Sequence, residues 1–427
     1  MSYLSGTLFV MGIKVLHCAD LHLDAVLSGA LRNSQNDYIS DQDYTLLRDA
    51  PLLALENIAK TANSENIDIV LIAGDLFNMK DDAALNHRVR SHLMNFFKKL
   101  EKENISVFVC VGNHDPLKFI SEISKSWPEN VYLFKNKNVE TFKIEIRNQK
   151  VNVHGVSYIK DSEDRNLASM FPKKIKGEFN LALLHTNVGG DVNHSNYAPS
   201  ELKTLCSYDY DYFALGHIHK RTILNESPLV AYSGNHQGLS PKPSECEPKG
   251  VVVFEIDEPD SNFKVDFIDT DVVRYTSETV LIKEAASLEE LSDSICVYLE
   301  NKYDKTSQLV LCRLLINLEN YEGSFLDTNE IIDLVNENIN NVIVAKIKIN
   351  SENKNFEELV DISEYFQSIE NQLENLNEIT FDDLYGKQSA KILSTLDLDE
   401  NEKINISEKE IKTYLTNIHN ELLGKVK

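Results

Sequence analysis

Five apolar segments of strand length run directly into Asp, Asn or His, and this repeated ending constrains the fold more than any other feature of the chain. "KVLHCA" leads to Asp20 and His22, "IDIVLIAG" to Asp75, and "ISVFVCVG" to Asn113, His114 and Asp115. "NLALLHT" carries His185, and "YDYFALG" leads to His217 and His219. Short runs with little polar alternation read as strands buried on both faces, the pattern of an α/β sheet. In such a sheet the carboxyl ends of the strands converge on one rim, where sites form. The fold expected is therefore one that collects these polar side chains at a single rim.

The organisation around these segments supports an α/β class. Amphipathic stretches near 46–64 and 82–103 lie between the first three strands and fit helices crossing over parallel neighbours. Further strands are expected at "VNVHGVS", "LVAYSG", "GVVVFEI" and "FKVDFI". From Tyr275 the rhythm changes: strand "ETVLI", helix 287–301, strand "QLVLCRLLINL", helix 327–338 and strand "NVIVAKIKI" form a smaller α+β unit. The expected division is 1–270, 271–352 and a helical, acidic tail 353–427, with helices near 359–374, 380–394 and 407–423. Met11 is an alternative start to Met1, because the first strand begins at Ile13.

Charge restricts the partners. The 427 residues carry a formal net charge of −24. Residues 1–270 hold 28 basic and 36 acidic groups, and residues 271–427 hold 15 and 31. Contact with nucleic acid is mainly electrostatic, so any role on DNA needs a local basic patch, metal ions or a partner's surface. Six scattered cysteines without a C-x-x-C spacing argue for reduced, buried thiols. No apolar run reaches the roughly 18 residues of a membrane span, and the first residues lack a signal-peptide pattern. A cytoplasmic protein without a membrane partner is expected.

Asp, Asn and His are hard-to-borderline oxygen and nitrogen donors, suited to manganese, iron or magnesium rather than to a structural zinc site. With one residue between them, the members of a D-x-H or H-x-H pair at the end of an extended segment point the same way, so each pair can clasp one ion. About seven donors exceed what one octahedral ion takes while keeping water, which favours two ions sharing a carboxylate. Taken singly, each piece has a structural reading, and Asn-His-Asp after glycine also fits an Asx-type turn. Five such clusters in series do not.

The series D-x-H, GD-x-F, GNHD, H and GH-x-H resembles the calcineurin-like metallophosphoesterase superfamily. Its contexts "VLHCADLHLD", "IDIVLIAGDLFN", "VFVCVGNHDP" and "YFALGHIHK" are similar to the SbcD-type DNA-repair exonuclease branch, and especially to its YhaO-like subgroup. The specific motifs cover residues 14–240, and Gly234 and Asn235 match the segment that closes that domain. The resemblance implies a four-layer α/β/β/α sandwich with a small α+β capping domain and a helical C-terminal tail. It implies one metal held by Asp20, His22, Asp75 and His219, and another held by Asp75, Asn113, His185 and His217, with Asp75 bridging. His114 would face the scissile phosphate and Asp115 would orient its imidazole. Leu21 departs from the small polar residue common in relatives, at a position that is not a ligand.

The implied activity is a two-metal phosphodiesterase, most readily manganese-dependent with iron or magnesium as alternatives. It would act as a DNA exonuclease and endonuclease with an SbcC-like coiled-coil ABC ATPase, and as a homodimer. Two competing readings stand beside it: an enzyme for nucleotides or other small phosphoesters, and a weakly active subunit that recruits the ATPase. Lys118, Lys220 and Arg221, and the run Lys173, Lys174 and Lys176, are candidate phosphate contacts. His236 is a candidate for lining the site, whereas His17 and His154 lie within strands and read as structural. Leu93, Phe96, Phe97 and Leu100 form an apolar helix side that fits either core packing or a two-fold interface.

Overall fold

The computed structural model describes residues 12–27, 40–78, 87–190, 197–261, 263–321 and 326–351. The expected tail helices near 359–374, 380–394 and 407–423 lie outside the described residues.

The first sheet begins with β1 (Ile13–Cys18), β2 (Ile69–Ala73), β3 (Ser106–Cys110) and β4 (Val131–Leu133). These four strands pair in parallel, in that spatial order. Parallel neighbours need a crossover. Helices α1 (Asp41–Ser64) and α2 (His87–Lys102) supply the first two, and the short α3 (Leu117–Ile123) lies between β3 and β4. The Ser40 side chain caps α1 by accepting the Asp43 N–H, which starts this helix earlier than its apolar periodicity suggests.

The second sheet contains β5 (Glu140–Ile146), β6 (Gln149–Val156), β7 (Phe179–His185), β8 (Tyr212–Gly216), β9 (Thr222–Glu226) and β10 (Leu229–Tyr232), in the order β5-β6-β7-β8-β10-β9. The helical turn α4 (Leu202–Cys206) lies between β7 and β8. The chain then returns to the first sheet as β11 (Gly250–Ile256), antiparallel to β1, and β12 (Val265–Asp269).

Apolar side chains explain the layering. Val15, Leu71 and Phe108 of the first sheet meet Val153, Leu181 and Ala214 of the second in one buried cluster. On the outer face of the first sheet, Leu16, Val70 and Val107 pack with Leu52, Leu55 and Ile58 of α1 and with residues of α2. Leu93, Phe96, Phe97 and Leu100 all lie in that second cluster. They are core, which removes them from the two-fold interface that their helix pattern also allowed. A third cluster joins the outer face of the second sheet to residues around α4. The order helix, sheet, sheet, helix is the expected α/β sandwich.

His17 and His154 are structural. His17 Nδ1 lies 2.8 Å from the Tyr212 hydroxyl across the sandwich, and burial lowers its pKa to about 3. His154 Nδ1 lies 2.8 Å from Thr141 Oγ1, and burial lowers its pKa to about 4. The six cysteines are free thiols. Among the described residues, no helix is long and apolar enough to cross a membrane.

A three-stranded parallel sheet follows: β13 (Val273–Ala285), β14 (Leu309–Tyr321) and β15 (Val342–Ser351). Its crossovers are α5 (Leu288–Tyr303) and α6 (Thr328–Asn338). Val273, Tyr275, Leu309, Leu311 and Ile343 pack against Leu47 and Ala50 of α1.

Candidate metal centre

The polar strand ends converge. Ligand atoms of Asp20, His22 and His219 lie within 4.8 Å of one another, and so do those of Asp20, Asp75 and His185. Asp75 Oδ2 is 3.4 Å from His185 Nε2 and 3.9 Å from His22 Nε2, so its carboxylate stands between the two groups. Asn113 joins through Oδ1, 3.2 Å from His185 Nε2. His217 stacks edge-on against His185 at 5.2 Å between ring centres. One difference from the implied ligand sets is that Asp20, expected in the first group alone, belongs to both.

Backbone geometry explains how residues so close in sequence reach one point. Asp20, His22, Asp75 and His217 all have positive φ, at 52°, 40°, 52° and 100°. Side chains rarely adopt this region, and it recurs where surrounding structure enforces it at functional sites. Here the enforcement is a backbone ladder between the first two strand ends: Asp20 N to Gly74 O, His22 N to Asp75 O and Leu23 N to Leu76 O, each 3.0 Å. Asp20 also accepts the His217 N–H at 3.1 Å, tying the ends of β1 and β8 together.

Hydrogen-bond polarity shows that the donors suit a cation. His185 Nδ1 is 3.0 Å from the Ala73 carbonyl, which only accepts, so Nδ1 carries the proton and Nε2 presents a lone pair. That lone pair faces the oxygens of Asp75 and Asn113. His219 Nδ1 is 2.6 Å from Glu245 Oε1, which likewise leaves Nε2 as a lone pair, 3.2 Å from His22 Nε2. Burial lowers the pKa of His22 to about 3, so a proton there is disfavoured, and among the described residues its buried Nδ1 has no hydrogen-bond partner. A convergent nitrogen and oxygen donor set without thiolate fits divalent ions of the manganese, iron or magnesium type.

The glycines before the ligands are part of this geometry. A Cβ on Gly112 would strike the Asp75 carboxylate and the His185 ring, and one on Gly216 would strike the Ala73 carbonyl. The glycine in each of "GNHD" and "GHIH" therefore exists to let His185 and Asp75 lie against bare backbone.

Two residues depart from expectation. Asp115 does not touch the His114 imidazole; its Oδ1 accepts the Gly112 N–H at 2.9 Å and its Oδ2 the Leu76 N–H at 2.6 Å. It is fully buried, and burial followed by the Asp75 charge pushes its pKa well up. Asp115 thus fastens the "GNHD" turn to the "GDLF" loop, while His114 Nδ1 is held by the Asn78 carbonyl at 3.2 Å. His236 does not line the metal groups; its Nε2 lies 2.9 Å from the Pro51 carbonyl of α1.

The candidate phosphate contacts divide by location. Lys173, Lys174 and Lys176 precede β7, whose far end carries His185, so about 20 Å of strand separates them from the rim. Lys174 pairs with Asp260 and Asp209 there. Near the rim, Arg221 lies over the Phe267 ring at 3.7 Å and Lys220 approaches Glu247 at 3.8 Å. Lys118 is exposed on α3, directly after the "GNHDP" turn.

Sequence reasoning missed Glu245. It lies in a Pro- and Ser-containing segment far from any strand end, and only its acidity could have marked it. Its buried carboxylate holds His219 Nδ1 through Oε1 and the Asn235 amide through Oε2 at 2.8 Å. Burial would raise the pKa of Glu245, but the His219 hydrogen bond and charge bring it down to about 2. Burial would lower the pKa of His219, yet Glu245 raises it above the ordinary value. The carboxylate fixes the ring and makes its Nε2 more basic, as partners of metal-bound histidines do. Glu245→Ala is expected to weaken divalent-metal binding by about 10- to 100-fold, read by calorimetric titration with manganese, while Glu245→Gln recovers part of the loss. Unchanged metal affinity in Glu245→Ala would show that His219 needs no such support.

The comparisons with known proteins agree with this chemistry. Residues 13–221 match the calcineurin-like phosphoesterase family. The chain is 29% identical over 255 residues to the uncharacterized metallophosphoesterase YhaO of Bacillus subtilis (strain 168), a stretch that is 59% of this chain and 59% of that protein. It is 29% identical over 178 residues to the DNA double-strand break repair protein Mre11 of Methanocaldococcus jannaschii, covering 39% of this chain and 45% of that one. The matched stretches thus span about half of these curated relatives. Among solved structures, a dimetal phosphatase from Danio rerio aligns with 60% of this chain and 99% of its own, at a TM-score of 0.34 and 10% identity. Residues 13–221, whose strand ends gather the candidate metal donors, are thus the part of the chain that is similar to calcineurin-like phosphoesterases.

Proposed function

We propose that the protein is a two-metal phosphodiesterase that cuts DNA, of the SbcD type. The observation that carries this reading is the convergence of His185 and His219 lone pairs, with the Asp20 and Asp75 carboxylates, beside a less buried His114. Asp20, His22, Asp75 and His219 would hold one ion, and Asp75, Asn113, His185 and His217 the other. Two divalent ions there would neutralise a phosphodiester and lower the pKa of a bound water toward neutrality.

The chain's own residues do the rest. His114 is edge-on to His22 at 5.0 Å between ring centres, which places its imidazole at the metal rim. Because the Asn78 carbonyl takes the Nδ1 proton, Nε2 is the nitrogen left for substrate, and in the protonated ring it can donate to the leaving sugar oxygen. The His114 N–H donates to Asp75 Oδ1 at 3.1 Å, which ties the turn that carries His114 to that carboxylate. Asp115 fastens the turn that carries His114 to the loop that carries Asp75.

DNA as substrate is supported by the motif contexts and by the similarity to an archaeal break-repair protein. Manganese, a homodimer and an SbcC-like coiled-coil ABC ATPase, engaged through the acidic segment 353–427, belong to the same reading. The net charge of −24 favours a second one, in which the substrates are nucleotides or other small phosphoesters. The test is degradation of end-labelled single- and double-stranded DNA with manganese or magnesium. Cleavage is expected to fall by about 10²-fold or more in His114→Ala. Hydrolysis of bis-p-nitrophenyl phosphate that depends on His114, with DNA left intact, would select the small-substrate reading. DNA recruitment of the ATPase that survives His114→Ala, with no turnover of either substrate, would mark a recruiting subunit.

A further inference from the structure

A cavity of about 520 Å³ opens beside the "GNHDP" turn, lined by Pro116, Lys118, Phe119, Glu122, Ile159, Lys160 and Asp161. It starts two residues after His114, where the two sheets meet. The Leu117 N–H donates to the Tyr158 carbonyl at 2.9 Å, and the Tyr158 N–H to the Val111 carbonyl at 3.1 Å. Those bonds join the segment after β3 to the segment after β6, so the cavity walls are fixed by the elements that position Asn113 and His114. Its interior is apolar, from Pro116, Phe119 and Ile159. Phe119 is braced edge-on by Phe77 of the "GDLF" loop, 6.1 Å between ring centres.

The rim is charged with both signs. Lys118 and Lys160 are exposed there, and Glu122 pairs with Lys125 at 2.6 Å. A flat apolar body, an edge bearing amino and keto groups and an attached phosphate describe what would fill this space: a nucleobase. The volume lies within the range of small-molecule pockets, and an aromatic wall with flanking lysines is the chemistry that binds single-stranded bases.

We propose that this cavity receives the base of a nucleotide next to the scissile phosphate, with Phe119 as its stacking wall and Lys118 and Lys160 on the neighbouring phosphates. This rests on the DNA-cutting reading above, and it gives an acidic protein a defined grip on one nucleotide beside its metals.

The test is a set of end-labelled single-stranded oligonucleotides in which one tetrahydrofuran abasic nucleotide is moved stepwise along the strand. The wild-type protein with manganese is expected to cut about ten-fold more slowly, or less, at the bond that lies a fixed offset from the missing base. Phe119→Leu keeps apolar bulk against Phe77 without an aromatic face, and Ile159→Trp fills the cavity; both are expected to erase that offset dependence. Circular dichroism and metal titration identify any variant that has lost its fold. Oligonucleotides cut by the wild type with no offset dependence, or an offset effect of the same size in both folded variants, would overturn the pocket while leaving the nuclease reading intact. If the wild type cuts no oligonucleotide but hydrolyses bis-p-nitrophenyl phosphate through His114, both proposals fall.

Discussion

Asp75→Ala is expected to lower kcat/KM for a phosphodiester by on the order of 10³-fold or more, since it removes the carboxylate between the two donor groups. The number follows from position. Asp75 Oδ2 is within 4 Å of both His185 and His22 nitrogens, and Oδ1 holds the His114 N–H. Without it each group keeps too few anionic donors to hold a divalent ion against water, and the turn carrying His114 loses a tether. Thermal unfolding with and without manganese separates these effects. The wild type should gain about 2–3 kcal/mol at metal well above its dissociation constant, following the mass-action relation, whereas the variant should gain little. An Asp75→Ala protein that retained manganese-dependent turnover near wild type would place the reaction elsewhere.

The rim itself was readable because strand burial and side-chain chemistry conflict there. A fully buried apolar strand has no reason to end in Asp or His unless something at its end uses them. The same apolar runs marked the strands and the α/β class, whereas the four-layer sandwich was implied by the family resemblance. Asp115 was misread because "GNHD" is the same string whether the carboxylate meets the imidazole or the backbone. Only the close passage of Leu76 and Gly112 decides it. Glu245 was missed because its link to His219 is a tertiary contact between a loop and a strand end, and neither periodicity nor spacing encodes it. The basic run Lys173–Lys176 could have been placed from sequence alone: it precedes the strand that ends in His185, so strand direction assigns it to the opposite edge. The first turn of α1 needed its Ser40 cap, which apolar periodicity does not register.

The glycines carry the second large expectation. Gly216→Ala should cost about 1–3 kcal/mol of stability from overpacking and reduce phosphodiester hydrolysis to an extent comparable with Asp75→Ala. The added Cβ would meet the Ala73 carbonyl oxygen, the atom that takes the His185 proton, and approach His185 Nδ1 at 2.9 Å. Backbone on both sides leaves nothing soft to yield: Ala73 ends β2 and Gly216 ends β8, so relief requires the two sheets to separate at the rim. Any such separation turns His185 Nε2 away from Asp75 and Asn113. Gly177, where a Cβ meets nothing within 4 Å, serves as the control, because Gly177→Ala tests only the cost of a positive φ of 74°. Metal stoichiometry by mass spectrometry and urea unfolding separate a broken centre from a destabilised fold. If Gly216→Ala kept full stability and both ions, close packing of His185 on the strand ends would not be what holds the second group together.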